Sequence, residues 1–266
     1  PRLAAIVMVS GSTVNYSGNA LAITADGSFV TTIGSFPQNG VTYAVALSDG
    51  RIAPITSQVL DPATELVFFK ATISGLAVTN FTSVPSNVGD RVVFVEGTIN
   101  QQSPVAYPTF ITNTQEENVN RTFNADNPSR VFGADIPAGL ISGSSLVSLN
   151  GDSLGIWSGS KIISSGIIKR AVDLYLSNNL VRPKFGFTYD TLTVTKAKLL
   201  GLSEGIRVIT LTKSAPASQA GLKEGDIITK VGETQVINQP QFEQLLEGYL
   251  PTQIVSLNVI RGQQTL

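Results

Sequence analysis

Short apolar runs broken by turn residues dominate the first two-thirds of the chain. Leu3–Val9, Ala20–Thr24, Phe29–Thr32, Tyr43–Leu47, Val67–Lys70, Arg91–Val95, Thr109–Thr114, Leu146–Leu149 and Leu154–Trp157 are β-prone. Asp26-Gly27, Asp49-Gly50, Gly89-Asp90 and Asn150-Gly151 punctuate them. Many short strands separated by turn signals predict an all-β barrel or sandwich. Near Ile167 the apolar spacing becomes helical. Ile167, Ile168, Ala171, Val172, Leu174 and Tyr175 share one face, and Ser164 or Ser165 stands where a cap is needed. Asn178, Asn179 and Arg182-Pro183 then read as a linker.

A smaller α/β unit follows. Arg207–Leu211, Ile227–Lys230 and Val255–Ile260 predict strands, with the start of another at Gln263–Leu266. Ala217–Ala220 predicts a short helix. Asn238 as N-cap and Gln241 at the capping-box position open a second helix through Phe242, Leu245 and Leu246. The polar stretch Asn113–Asn127, with its two adjacent Glu, reads as a solvated loop. These elements divide the chain into a β domain over 1–176, a linker at 177–181 and a second domain over 182–266.

Composition narrows the chemistry. The 266 residues suit about two domains. Charged residues make up 14%, against about 25% in typical proteins, so neutral polar residues must cover much of the surface. With 18 basic and 19 acidic side chains there is no basic excess to neutralise phosphates, which argues against nucleic acid as a partner. The absence of Cys excludes disulfides, a Cys nucleophile and Cys zinc sites. The absence of His removes the commonest general base and transition-metal ligand. No metal and no cofactor are expected, and any catalysis must run on carboxylates, Lys or Tyr. Leu3–Val9, the longest apolar run near the N-terminus, falls far short of the roughly 20 residues that span a bilayer. A chain beginning at Pro1 reads as a fragment or processed product, whose membrane anchor or export signal, if any, would lie upstream.

The sharpest motif is Ser214-Ala215-Pro216-Ala217-Ser218-Gln219-Ala220-Gly221-Leu222, followed by Lys223-Glu224-Gly225-Asp226-Ile227-Ile228. It makes residues 182–266 resemble a PDZ domain of the HtrA/Deg type. Such domains bind a peptide C-terminus by strand addition and hold its carboxylate in a loop of backbone N–H groups. The string matching that loop is Lys184-Phe185-Gly186-Phe187, which departs from the family form at Lys184. The resemblance implies a peptide site of Arg182, Lys184, Phe185, Gly186 and Phe187, with Gln241 and Leu245 on the opposite wall.

Once that unit is placed, the first 176 residues resemble the trypsin-like protease domain of the same family. Ala25–Thr31 is similar to the strand leading into the catalytic His, Leu47–Arg51 to an L-x-D-G-R hairpin, and Asp61–Leu66 to the segment carrying the catalytic Asp. Val88–Val92 is similar to a V-G-D-x-V strand, and Ser142–Val147 to the S-G-G-P-L-V segment carrying the nucleophile. The resemblance thus implies a mainly β fold: a trypsin-like double β-barrel followed by an α/β PDZ domain.

The catalytic residues fail to carry over. The His position falls on Gly34, the Asp position on Glu65 and the Ser position on Ser142. Without an imidazole, the Ser142 hydroxyl lacks its base. The oxyanion-hole positions are Leu140 and Ser142, and a Leu resists torsions that Gly adopts freely. The expected protein is an inactive HtrA-like pseudoprotease that binds polypeptide C-termini or unfolded protein in protein quality control. The alternative is a serine endopeptidase using Ser142 in an atypical site. By resemblance, the assembly would be a homotrimer or a mixed assembly with an active paralogue. The location would be extracytoplasmic, at the bacterial envelope. In the family, the region of Asn113–Asn127 can also be regulatory.

Overall fold

The computed structural model describes residues 2–38, 40–81, 87–97, 104–113, 122–126, 131–236 and 238–266. The chain divides into two compact units. The first holds residues up to 116 and from 130 to 180, and the second takes the remainder, including the described stretch 122–126.

The first unit contains two closed six-stranded barrels. One is built from β1 (Leu3–Ser10), β2 (Thr13–Ala22), β3 (Ser28–Thr32), β4 (Thr42–Leu47), β5 (Ile52–Asp61) and β6 (Leu66–Ala71). The order is β1-β2-β3-β6-β5-β4, and antiparallel pairing of β1 with β4 closes it. The other begins with β7 (Arg91–Glu96) and β8 (Val105–Asn113). After β9 (Phe123–Asn124), which pairs elsewhere, it continues with β10 (Val131–Ala134), β11 (Ser145–Ser148), β12 (Ser153–Trp157) and β13 (Ile162–Ser164). Pairing of β8 with β10 closes it.

Side-chain alternation explains the apolar runs of the first barrel. Ala20, Ala22, Phe29, Phe69 and Ala71 point into its interior, where the rings of Phe29 and Phe69 stack at 5.2 Å. Their neighbours Leu21, Ile23, Val30, Leu66 and Phe68 face the other way, onto a second core shared with Ile156 and Ile163 of the other barrel. Strands buried on both faces need apolar residues at successive positions. Helix α1 (Ser165–Leu176) seals this second core with Ile167, Ile168, Ala171 and Val172, and Tyr175 stacks on Phe68 at 4.5 Å. Ser164 has the extended backbone of an N-cap, but its side chain makes no capping bond.

The second unit contains β14 (Phe187–Leu192), α2 (Val194–Leu200), β15 (Gly205–Leu211), α3 (Pro216–Gln219), β16 (Ile227–Val231), β17 (Thr234–Gln235), α4 (Gln239–Glu247), β18 (Leu257–Arg261) and β19 (Gln264–Thr265). The sheet runs β19-β18-β16-β15-β14-β9, with β17 paired to β16. The outermost strand, β9, comes from the stretch expected to be a solvated loop. That expectation fails at Phe123, which is only 8% exposed and belongs to the core of this unit. Of the same stretch, 114–121 and 127 lie outside the described residues. At α4 the Asn238 side chain accepts from the Gln241 N–H at 2.9 Å, the N-cap bond of the expected box. Among the described residues, no helix is long and apolar enough to cross a membrane.

Candidate functional site

Ser142 lies in the tight loop that leads into β11. Its carbonyl accepts from the Asn19 N–H at 2.9 Å and from the Ser35 hydroxyl at 3.1 Å, and the Gly143 N–H donates to the Trp157 carbonyl at 2.8 Å. A buried polar network holds the rest of the loop. Glu96 Oε1 accepts from the Ile141 N–H at 2.7 Å and lies 2.8 Å from the Ser144 hydroxyl, while Asn19 Nδ2 donates to Ser144 Oγ at 3.1 Å. Tyr16 donates to Asn19 Oδ1 at 2.6 Å. Burial raises its phenol above the ordinary value, and the Glu96 charge adds to the effect, so Tyr16 stays a neutral donor.

Gly34 and Ser142 face each other. A Cβ built on Gly34 would lie 2.4 Å from Ser142 Oγ and 3.1 Å from Ser142 Cβ. The Ser142 hydroxyl instead donates to the Ser158 carbonyl at 3.1 Å, and a carbonyl oxygen is no base. Glu65, expected opposite this pair, points its carboxylate to Lys161 Nζ at 3.2 Å, and both side chains are well exposed. Glu65 closes the β5–β6 hairpin with a φ of 61°, while its carbonyl accepts from the Ile33 N–H. The expected set of three is thus only partly gathered: two residues meet, and the acid pairs with a surface Lys. Leu140 completes the picture. Its N–H donates to the Pro137 carbonyl at 3.3 Å, so it is spent inside a turn, and its own carbonyl accepts from Trp157 Nε1.

The second unit gathers a different constellation. Lys184 is exposed, Arg182 and Phe185 are half-buried, and Gly186 and Phe187 are buried. Gly186 has a φ of 78°, and its carbonyl accepts from the Thr212 N–H at 2.8 Å. The Ala217 N–H ties the Phe185 carbonyl at 3.0 Å. A Cβ on Gly186 would come within 2.1 Å of Ala215 Cβ. The Ser-Ala-Pro-Ala turn therefore needs a small residue at 215 because the Gly186 backbone passes against it. The left-handed backbone at Gly186 turns successive N–H groups toward one point, the geometry of an anion nest. Here that point is the Asp126 carboxylate: the Phe185 N–H donates to Oδ1, and the Gly186 N–H lies 3.1 and 3.2 Å from the two oxygens.

Behind this loop, Phe187, Tyr189 and Phe242 form the core against α4, with Leu245 packed on it. Tyr189 donates to the buried Glu243 at 2.8 Å. Asp226 of the motif is 1% exposed and takes the Arg261 guanidinium through two bonds of 2.7 Å, tying β16 to β18. Sequence reasoning missed Phe123, Ala125 and Asp126. The signal present was an apolar pair two residues apart followed by an acid, Phe123-Asn124-Ala125-Asp126.

The two barrels and the sheet that follows them are similar in fold to solved HtrA-type proteases. The fold is a trypsin-like double barrel with a C-terminal PDZ domain. Residues 185–266 match the PDZ domain family. Along 82% of its length the chain is 26% identical to the mitochondrial serine protease HTRA2 of Drosophila pseudoobscura pseudoobscura, of which 57% is covered. Along 92% it is 26% identical to a probable periplasmic serine endoprotease, DegP-like, of Chlamydia pneumoniae, of which 52% is covered. The chain thus spans somewhat more than half the length of these curated relatives. Among solved structures, the HtrA-type protease AlgW with a tripeptide superposes over the whole chain and 91% of its own, with a TM-score of 0.74 and 22% identity. AlgW with a decapeptide gives a TM-score of 0.70 at 21% identity, covering the whole chain and 93% of that structure.

Proposed function

We propose that the chain is a pseudoprotease: it captures polypeptide C-termini in its PDZ groove and does not hydrolyse them. The observation that carries this reading is the pairing of Gly34 with Ser142 in a chain that contains no His. Proton removal from a serine needs a base held within hydrogen-bond reach. The position facing Ser142 offers a hydrogen atom, and the Ser142 hydroxyl already donates to a carbonyl. A developing oxyanion would also lack the Leu140 N–H, which serves Pro137. In this reading Gly34, Glu65, Ser142 and Leu140 are vestigial positions, and the barrels serve as scaffold.

Capture is supported by the loop at Phe185 and Gly186, whose N–H groups converge on a carboxylate, and by peptides in the AlgW structures. Arg182 and Lys184 add positive potential, and Gln241 and Leu245 stand on the helix that forms the far wall. A role in protein quality control, an extracytoplasmic location and a trimeric or mixed assembly with an active paralogue belong to the same proposal. Periplasmic relatives support the location. The test is calorimetric titration with two versions of one peptide, one ending in a free carboxylate and the other amidated. The free acid should bind at least about tenfold more tightly, since charge-assisted bonds to the N–H groups are lost on amidation. Equal affinities would refute capture by the carboxylate loop.

A further inference from the structure

The PDZ groove already contains a ligand, and it comes from the chain itself. We infer that Phe123-Asn124-Ala125-Asp126 is a built-in competitor that latches the groove and displays the ligand chemistry it accepts. This inference rests on the reading of the groove as a C-terminus binder.

Strand β9 adds antiparallel to β14, with Tyr189 opposite Phe123 and Thr188 opposite Asn124. The Ala125 N–H donates to the Phe187 carbonyl at 3.1 Å, extending the ladder toward the glycine loop. The ladder ends where the Asp126 side chain fills the nest of Phe185 and Gly186 N–H groups. Ala125 therefore stands where a terminal residue would stand, and the Asp126 carboxylate takes the place of its α-carboxylate. In an extended segment, residues two apart share a face. Phe123 and Ala125 both pack on the core of the second unit, and the Phe123 ring stacks on Tyr189 at 5.5 Å.

This segment belongs to the second compact unit but lies outside the span that matches the PDZ family. The PDZ match covers residues 185–266 and includes every other strand of the sheet. Remove β9, and β14 becomes an open edge, which is a template for pairing with another chain. A tethered competitor acts at a high effective concentration and weakens an external ligand by the fraction of time the groove is free. The incoming ligand should copy the segment: a free C-terminus ending in a small residue, with an aromatic residue two positions before it.

The probe is a fluorescent peptide ending in Phe-Asn-Ala with a free carboxylate, titrated into the full chain by anisotropy. Asp126→Ala and Phe123→Ala should each tighten binding by about tenfold, the gain expected if the latch is closed nine-tenths of the time. Hydrogen exchange reads the latch without any peptide: the amides of Phe185 and Gly186 should lose protection in Asp126→Ala. Peptide binding of equal strength in the parent and both variants overturns the latch and leaves capture standing. If no version binds the peptide, capture falls, and the exchange data alone decide the latch: unchanged protection at Phe185 and Gly186 overturns it, and lost protection sustains it.

Discussion

Replacing Gly186 with Ala should cripple the second unit in a way the backbone geometry sets. At a φ of 78° an L-residue costs roughly 1–2 kcal/mol, because its Cβ crowds the following carbonyl. The new methyl would also meet Ala215 Cβ at 2.1 Å. Relieving such an overlap in a packed region costs roughly 1–3 kcal/mol. Together these give about 3 kcal/mol, and for a unit of this size each kcal/mol moves the midpoint by about 4–8 °C. Scanning calorimetry on the full chain should show the transition of the second unit falling by about 12–24 °C while that of the first unit stays put. Calorimetry is the right assay because the single Trp157 lies in the first unit and would miss the change. A fall of less than about 2 °C would refute the close approach of Gly186 to Ala215.

Three further outcomes follow from the same geometry. Asp190, 6% exposed, pairs with Arg207 and Lys196 at 2.7 Å each. Burial pushes its carboxyl up, but the two cations outweigh that and hold it below the ordinary value. A lowered folded pKa means the contribution is complete above the ordinary carboxylate range and lost as pH falls through the folded value. Asp190→Ala should therefore cost the second unit about 2 kcal/mol at neutral pH, after allowance for partly exposed partners, and much less in strong acid, measured by calorimetry across pH. Glu96→Ala should cost the first unit about 1–3 kcal/mol by stranding the Ile141 N–H, while the Ser144 hydroxyl keeps the Ile141 carbonyl, followed by denaturant titration of Trp157 fluorescence. Gly34→His should not create a protease: with Glu65 turned to Lys161 and the Leu140 N–H spent, hydrolysis of an unfolded protein should equal that of Ser142→Ala.

Local patterns carried much of this fold. The apolar runs mark most strands of the two barrels, and the long motif from Ser214 to Ile228 marks the second domain through local turns at Ser214, Gly221 and Gly225, the helix start at Pro216 and the Asp226 pin. What stayed hidden has a common physical cause. Strand β5 is largely exposed, so it shows no apolar run and is fixed by its pairing with β4 and β6. Helix α2 buries only Ala197, although Thr193 and Gly201 cap its ends. Ser142 was legible from its flanking residues, and Gly34, which faces it, from register with the strand it resembles. The Glu65 side chain was not, because which way a surface acid turns depends on where a distant Lys161 arrives. The segment at Phe123 was least legible: two strand residues in a polar stretch gain meaning only when β14 offers them an edge.

The central claim, binding without cleavage, meets its most direct test in intact mass spectrometry after treatment with a fluorophosphonate. Such a probe adds covalently to an activated serine and spares an ordinary one. The account predicts an unmodified mass under conditions that fully label an active serine protease. An adduct on Ser142, absent from Ser142→Ala, would contradict it.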